Sequence, residues 1–317
     1  MTNQFSVTQV LMKSTYVLSL LFVGFLLCLT WYFAEGIVEW QSLATKFLIA
    51  GCLFYVLSRI VLKIPHGVVA TSIHTTIILG LFAYLFEAVH GLQHIFVPHW
   101  FDDSLINIER NLIGTEATIF LQQFVNPYLT EGMMFAYVIY VPFLPLVAFF
   151  CYVNSGQTGA VEYLLNLSVA NIICYVGFIL IPVASPLYHQ PELYTVPLEG
   201  GYFTWCGEWM RHNVHYAGGS LPSPHCAAAT VMFMMLHRHQ RKVFYIALPT
   251  ILLLYISTVY GRYHYLSDAI AGIVTGVFAV KLSSLLITMF EWSQLRFSVF
   301  LNPKFTARCI SERSKAS

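Results

Sequence analysis

Residues 266–289 read LSDAIAGIVTGVFAVKLSSLLITM. Past Asp268 this run holds one charge, Lys281, and is otherwise apolar or small, and roughly 20 such residues suffice for a helix to cross the hydrocarbon core of a bilayer. Working outward, comparable runs lie near 14–34, 42–62, 69–90, 132–153, 161–184, 225–238 with its apolar lead-in, and 243–260. Eight spans at about 20 residues each occupy close to half of the 317 residues. The composition agrees: 57% of residues are apolar and only 10% charged, against about a quarter charged in ordinary soluble domains, and the mean hydropathy is +0.68. A water-soluble globule of this size would lack the polar surface it needs. The formal net charge of +1 offers no general field for nucleic acid. Seven cysteines (28, 52, 151, 174, 206, 226 and 309) form no CxxC or zinc-ligand pattern, so neither a disulfide framework nor a metal knuckle is expected. The fold class is all-α, a polytopic membrane helix bundle of about eight spans. The first span is too long for a signal-peptide core and has no small-x-small site after it, so it is expected to be retained.

Lysine and arginine collect on the cytoplasmic side of short loops. With the N-terminus inside, eleven of the sixteen basic residues fall there: Lys13, Arg59, Lys63, Arg238, Arg241, Lys242, Arg296, Lys304, Arg308, Arg313 and Lys315. Lys46, Arg110, Arg211 and Arg262 fall outside, and Lys281 within the last span. The expected arrangement has both termini cytoplasmic. Two segments on the other side are too long to be turns. Residues 91–131 carry Trp100, Phe101, Leu105, Ile108, Leu112, Phe120 and Phe124 at amphipathic spacing, which predicts interfacial helices. Residues 185–224 are rich in Pro, Gly, Tyr and Trp and show few features of a helix.

Chemistry-bearing residues gather at two span starts on that face. The first is Ser220-Leu221-Pro222-Ser223-Pro224-His225-Cys226 and the second Gly261-Arg262-Tyr263-His264-Tyr265-Leu266-Ser267-Asp268. His264 and Asp268 are four apart, so on a helix they share one face. A carboxylate hydrogen-bonded to one ring nitrogen fixes the tautomer and frees the other as nucleophile or base. Ser223 suits a helix cap and Pro224 the first turn, and free amides at a helix start bind anions. A hydroxyl, helix-start amides, an arginine and an oriented histidine are parts for phosphoryl transfer, which needs charge stabilisation, an in-line nucleophile and an acid for the leaving oxygen.

These residues resemble the type 2 phosphatidic acid phosphatase (PAP2) superfamily. Pro222-Ser223-Pro224-His225 resembles its second signature, and YGRYHYLSDAIAG, residues 260–272, its third. The stretch 100–124, with Asp103, Glu109, Gly114 and Leu121-Gln122-Gln123-Phe124, is similar to the branch containing inositol phosphorylceramide synthases. The resemblance implies N-terminal transmembrane helices over 1–94, a PAP2-like catalytic core over 95–290 and a cytoplasmic basic tail over 291–317. It implies a metal-independent, cofactor-free displacement on a lipid-phosphate substrate in the bilayer: His264 the nucleophile, Asp268 orienting it, His225 the acid, Ser223 on a phosphate oxygen. The implied setting is a bacterial plasma membrane, with the active site on the non-cytoplasmic side. A lipid phosphatase is the first reading, a phosphotransferase the second and a transporter the third. Three departures stand out. The first signature, Lys followed seven residues later by Arg-Pro, is absent; the arginine of the third falls on Thr258; and Pro224, which has no N–H, replaces the usual Gly or Leu. The phosphate-binding cation is therefore expected from Arg262, ahead of Arg211.

Other polar residues have blander readings. Glu87, His90 and His94 recur at helical spacing, which suits either a polar bundle face or a metal site. His237 and His239 sit in a cytoplasmic charge cluster, and His66 and His74 mark the start of the third span. The aromatic residues of 188–216 read as an interfacial belt that also suits a headgroup pocket.

Overall fold

The computed structural model describes residues 2–301, with side chains for 7–286 and 288. The side chain of Arg296, and Lys304, Arg308, Cys309, Arg313 and Lys315, lie outside the described residues. Among the described residues the chain forms α1 (Thr2–Tyr32), α2 (Trp40–Val61), α3 (Val68–Val89), α4 (Asp102–Ile113), α5 (Ala117–Leu121), α6 (Pro127–Leu180), α7 (Pro186–His189), α8 (Tyr202–Asn213), α9 (Pro224–His239), α10 (Arg241–Tyr260) and α11 (Leu266–Leu301). Six of these are long and apolar enough to cross a membrane. A straight helix of 54 residues, the length of α6, would run about 80 Å, far beyond the roughly 30 Å hydrocarbon core. It is instead a hairpin. Gly156 sits at φ 63°, ψ −163°, a conformation open essentially to glycine alone, and divides α6 into limbs 127–155 and 157–180. Thr130 of the first limb bonds Tyr260 at 2.7 Å and Gly177 of the second packs on Pro222; both lie at the end of the bundle that holds the candidate site. Gln157 lies at the opposite end, 2.7 Å from His66. With α9 the limbs number eight, at the positions the hydropathy indicates.

Helix α9 is the axis of the bundle. Its 16 residues span about 24 Å, and Ala227, Ala228, Ala229, Val231, Met232, Met235 and Leu236 are buried among α6, α10 and α11. Gly272 and Gly276 of α11, four residues apart, turn bare backbone toward it. A Cβ on Gly272 would come within 2.4 Å of the Ser223 carbonyl oxygen, and one on Gly276 within 2.6 Å of the Ala227 oxygen. Small residues four apart let helix backbones approach closely where lipid supplies no hydrophobic drive. The approach aligns the N-terminus of α11 with that of α9.

The segment expected to be irregular, 185–224, contains α8. Its start, Gly200-Gly201-Tyr202, has no capping side chain, so the helix has no local N-terminal signal. Glu131, on the first limb of α6, supplies the cap from a distance. Its carboxylate accepts the N–H groups of Gly201 (2.7 Å), Phe203 (2.7 Å) and Thr204 (3.0 Å) and the Thr204 hydroxyl (2.8 Å). An anion at a helix N-terminus stabilises it by on the order of 1 kcal/mol. His74 also differs from expectation. It lies inside α3, fully buried, with Nδ1 2.6 Å from the Tyr16 hydroxyl, and joins α3 to α1 instead of marking a boundary.

The α9–α11 contact generates a test. Gly272→Ala is expected to lower the thermal midpoint in detergent by the equivalent of about 1–3 kcal/mol, the usual cost of overpacking. Gly24→Ala, in α1 with open space around its Cβ position, should be neutral or slightly stabilising. Equal effects from the two would remove the close approach as a determinant of the fold.

Candidate active site

Two helix starts build the site. At α9, the Ser223 hydroxyl accepts the Cys226 N–H at 3.3 Å and Pro224 takes the first turn, the N-cap arrangement the sequence indicates. At α11, Asp268 reaches back from the first turn to accept the Tyr265 N–H at 3.0 Å, as the acidic member of a capping box does. The Ser223 N–H donates to the Asp268 carbonyl at 3.1 Å, tying one start to the other.

His264 and Asp268 share a face, but a third residue stands between them. Their nearest atoms, Nδ1 and Oδ2, are 3.6 Å apart. Ser220 bridges the gap, donating to Asp268 Oδ2 at 2.5 Å and lying 3.1 Å from His264 Nδ1. Since an ionised carboxylate only accepts, the polarity of the chain is set: His264 Nδ1–H donates to Ser220, and Ser220 O–H to Asp268. His264 Nε2 is left with its lone pair and faces His225 Nδ1 at 3.4 Å. Asp268 is fully buried and His264 nearly so. The Asp268 Oδ1 atom is buried with no hydrogen-bond partner, a cost the fold accepts at this position.

Aromatic rings fix the imidazoles. Tyr137 stacks on Tyr263 with centroids 4.2 Å apart and on His225 at 5.0 Å. His215, which no motif singles out, donates to or accepts from the Tyr137 hydroxyl at 3.1 Å. Burial lowers its pKa from 6.5 to about 4. A cavity of about 30 Å³ lies between His215, His225, His264, Ser220 and Tyr188, roughly the room of one water.

Helix α4 pins these loops from outside. Asp102 accepts the N–H groups of Ala184 (2.8 Å) and Ser185 (3.1 Å) and the Tyr265 hydroxyl (2.9 Å). Glu109 accepts the Ser267 N–H at 3.1 Å, in the first turn of α11, and the Ala117 N–H at 3.0 Å.

Of the residues singled out in the sequence, His225, His264 and Asp268 come together. Ser223 adjoins them through its backbone, while its hydroxyl serves as the cap. The two arginines point elsewhere. Arg262, at φ 66°, donates to the Val196 carbonyl and stacks over the Tyr194 ring at 4.6 Å. Arg211 pairs with Glu208 at 2.6 Å, yet it acts electrostatically on Tyr188, Tyr263 and His215, all on the cavity wall. Neither arginine lines the cavity itself. His94 bonds the Val97 carbonyl at 3.0 Å and packs on Trp100, and His90 packs on Tyr216. Among the described residues no group of three His, Cys, Asp or Glu is placed to hold a metal ion. Tyr188 and Tyr216 line the small cavity, so part of the aromatic belt faces inward.

Fold and site together define a multi-pass helical membrane protein with two histidines facing one another across adjoining helix starts. The model of one family, the PAP2 superfamily, matches residues 103–282, more than half of the chain, and the protein belongs to that superfamily. No curated protein and no solved structure matches the chain.

His215 makes stability depend on pH. The unfolded residue takes up a proton near 6.5 and the folded one only near 4, so between these values the unfolded state binds more protons. Stability is therefore present above 6.5 and lost as pH falls toward 4, by up to about 1.4 kcal/mol per pH unit. His215→Gln should make the thermal midpoint shallower in pH over that window. An unchanged slope would remove His215 as its source.

Proposed function

We propose that the protein is a lipid phosphate phosphatase working through a phosphohistidine on His264. The observation that carries this reading is the directed chain from His225 through His264 and Ser220 to Asp268, which leaves one unprotonated imidazole nitrogen at the cavity. In the first step His264 Nε2 attacks phosphorus and the P–O bond to the lipid alcohol breaks. His225 gives its proton to the departing oxygen. The positive charge on the phosphorylated imidazole is met by Asp268 through Ser220. In the second step water attacks the same phosphorus, His225 takes the proton, the P–N bond breaks and inorganic phosphate leaves. The cavity is too small for a phosphoryl group while the imidazoles sit 3.4 Å apart, so substrate enters by parting them. The helix starts and the loop at 218–220 supply dipoles that cost no reorganisation. The distribution of basic residues supports both termini cytoplasmic and the site on the other face; the setting proposed with it is a bacterial plasma membrane.

One observation favours a phosphotransferase as the second reading. Neither arginine lines the small cavity, and a phosphodiester, with a single negative charge, is easier to hold there than a monoester carrying nearly two. The two readings differ in what reaches the phosphohistidine second. Purified protein incubated with radiolabelled phospholipids, with and without ceramide or diacylglycerol, separates them by product: free phosphate or a new phospholipid.

His264→Ala is expected to abolish turnover and the acid-labile label left on the protein after a quench. His225→Ala should cost about 10²–10⁴-fold in kcat, the usual contribution of general acid–base catalysis. The chemistry involves no metal, so activity should survive EDTA, and an acid working beside a base predicts a bell-shaped pH profile. Phosphatase activity persisting in His264→Ala would overturn the assignment.

A further inference from the structure

A second, much larger cavity of about 790 Å³ opens beside the first, and the two share His215 and His225. Its walls are the outer half of α3 (Leu79, Phe82, Phe86), the first limb of α6 around Pro142 and Pro145, and the inner face of α8. The two prolines lack N–H groups and cannot continue the helical ladder. The lining is almost wholly apolar, and the volume falls within the range of roughly 300–1,000 Å³ that takes a small-molecule ligand. Trp205 and Trp209 of α8 stand at its edge, each more than half exposed.

Away from the two histidines, the one side-chain amide on this wall is that of Asn171. Asn171, on the second limb of α6, lines this cavity and makes no hydrogen bond among the described residues. Its neighbours along the helix are satisfied or apolar: Asn166 donates to the Glu162 carbonyl at 2.9 Å, and Tyr175 to the Phe82 carbonyl at 2.7 Å. An amide at membrane depth with no partner carries a desolvation cost that a bound group can relieve. Position says which group. Gly177 of the same limb packs on Pro222, and Asn171 lies six residues further along, about 9 Å by helical rise. His225, in the first turn of α9, follows Pro222 by three residues, in the same direction. Asn171 therefore sits a short way below the histidine pair, deeper in the bundle.

Resting on the phosphoester reading above, we infer that this cavity holds the chain of the substrate and that Asn171 hydrogen-bonds the polar group joining that chain to the phosphate-bearing end. The ligand class is a long-chain lipid phosphoester with an ester, amide or hydroxyl group a few bonds from phosphorus. A plain alkyl phosphate fills the apolar wall but leaves Asn171 unpaired. The glycerol and sphingoid lipids share this chemistry, and Asn171 reads the group they have in common.

The test compares three substrates in detergent: hexadecyl phosphate, 1-palmitoyl lysophosphatidate and sphingosine 1-phosphate. The wild-type protein should favour one or both of the last two over hexadecyl phosphate by roughly tenfold in kcat/KM, the scale of one hydrogen bond. Asn171→Leu should bring that ratio close to one. Which arm gains more identifies the source of the polar group. A ratio that Asn171→Leu leaves unchanged overturns the inference while leaving the phosphatase reading standing. Binding gives a separate readout that needs no turnover. Native mass spectrometry of His264→Ala should show lysophosphatidate retained as one adduct per chain, and Val138→Trp, which fills the cavity wall, should remove it. Such an adduct on a protein whose wild type releases no phosphate supports the cavity assignment and sinks the phosphatase reading. An adduct insensitive to both Val138→Trp and Asn171→Leu sinks the cavity assignment.

Discussion

The backbone contact between α9 and α11 is the constraint on which the site depends. Gly272 and Gly276 bring the two helices close enough for the Ser223 N–H to reach the Asp268 carbonyl. From that contact follow the facing of His225 and His264 and the placing of Asp268 beneath them. A side chain at Gly272 would press on the Ser223 carbonyl, at the cap of the helix that carries His225. The geometry of the site is thus set by what is missing at a helix interface, and lipid, which offers little drive for helix association, makes such packing decisive.

Four acidic residues on this side work on backbone. Asp102 holds residues 184 and 185, Glu109 holds Ser267, Glu131 starts α8, and Asp268 closes the turn at Tyr265. Each satisfies amides of loops or helix starts that would otherwise lie half-buried and unpaired, at a cost of about 1–3 kcal/mol apiece. In a chain with 10% charged residues, these carboxylates are structural pins around a site that needs to stay fixed.

How much of this was legible in the sequence depends on distance along the chain. The spans were, because each needs only its own apolar run; even the fold-back within α6 shows as the polar step Asn154-Ser155-Gly156-Gln157 between two such runs. The cap at Ser223 was, because capping is local; Asp268 was legible as the neighbour of His264, not as the cap of Tyr265. The Ser220 bridge was not. Ser220 stands in the same segment as Ser223 and His225, but its role depends on a residue 48 positions later. Helix α8 was hidden for a like reason, since its cap, Glu131, lies some 70 residues upstream. Arg262 was a natural choice two residues before His264, yet its left-handed backbone turns the side chain to Val196 and Tyr194.

On the proposed reading, the charge of the phosphoryl group has to be balanced without an arginine on the wall of the small cavity. Burial disfavours the charged form of the His215 imidazole, and in the free protein it stays neutral at physiological pH. A bound phosphate would reverse the balance, because an opposite charge within a few ångströms stabilises the cation. On the proposed reading, a proton taken up by His215 with the substrate would supply counter-charge beside the acid, His225. On the phosphatase reading, titration of His215 would then stand in for the missing signature arginine and couple substrate binding to proton uptake.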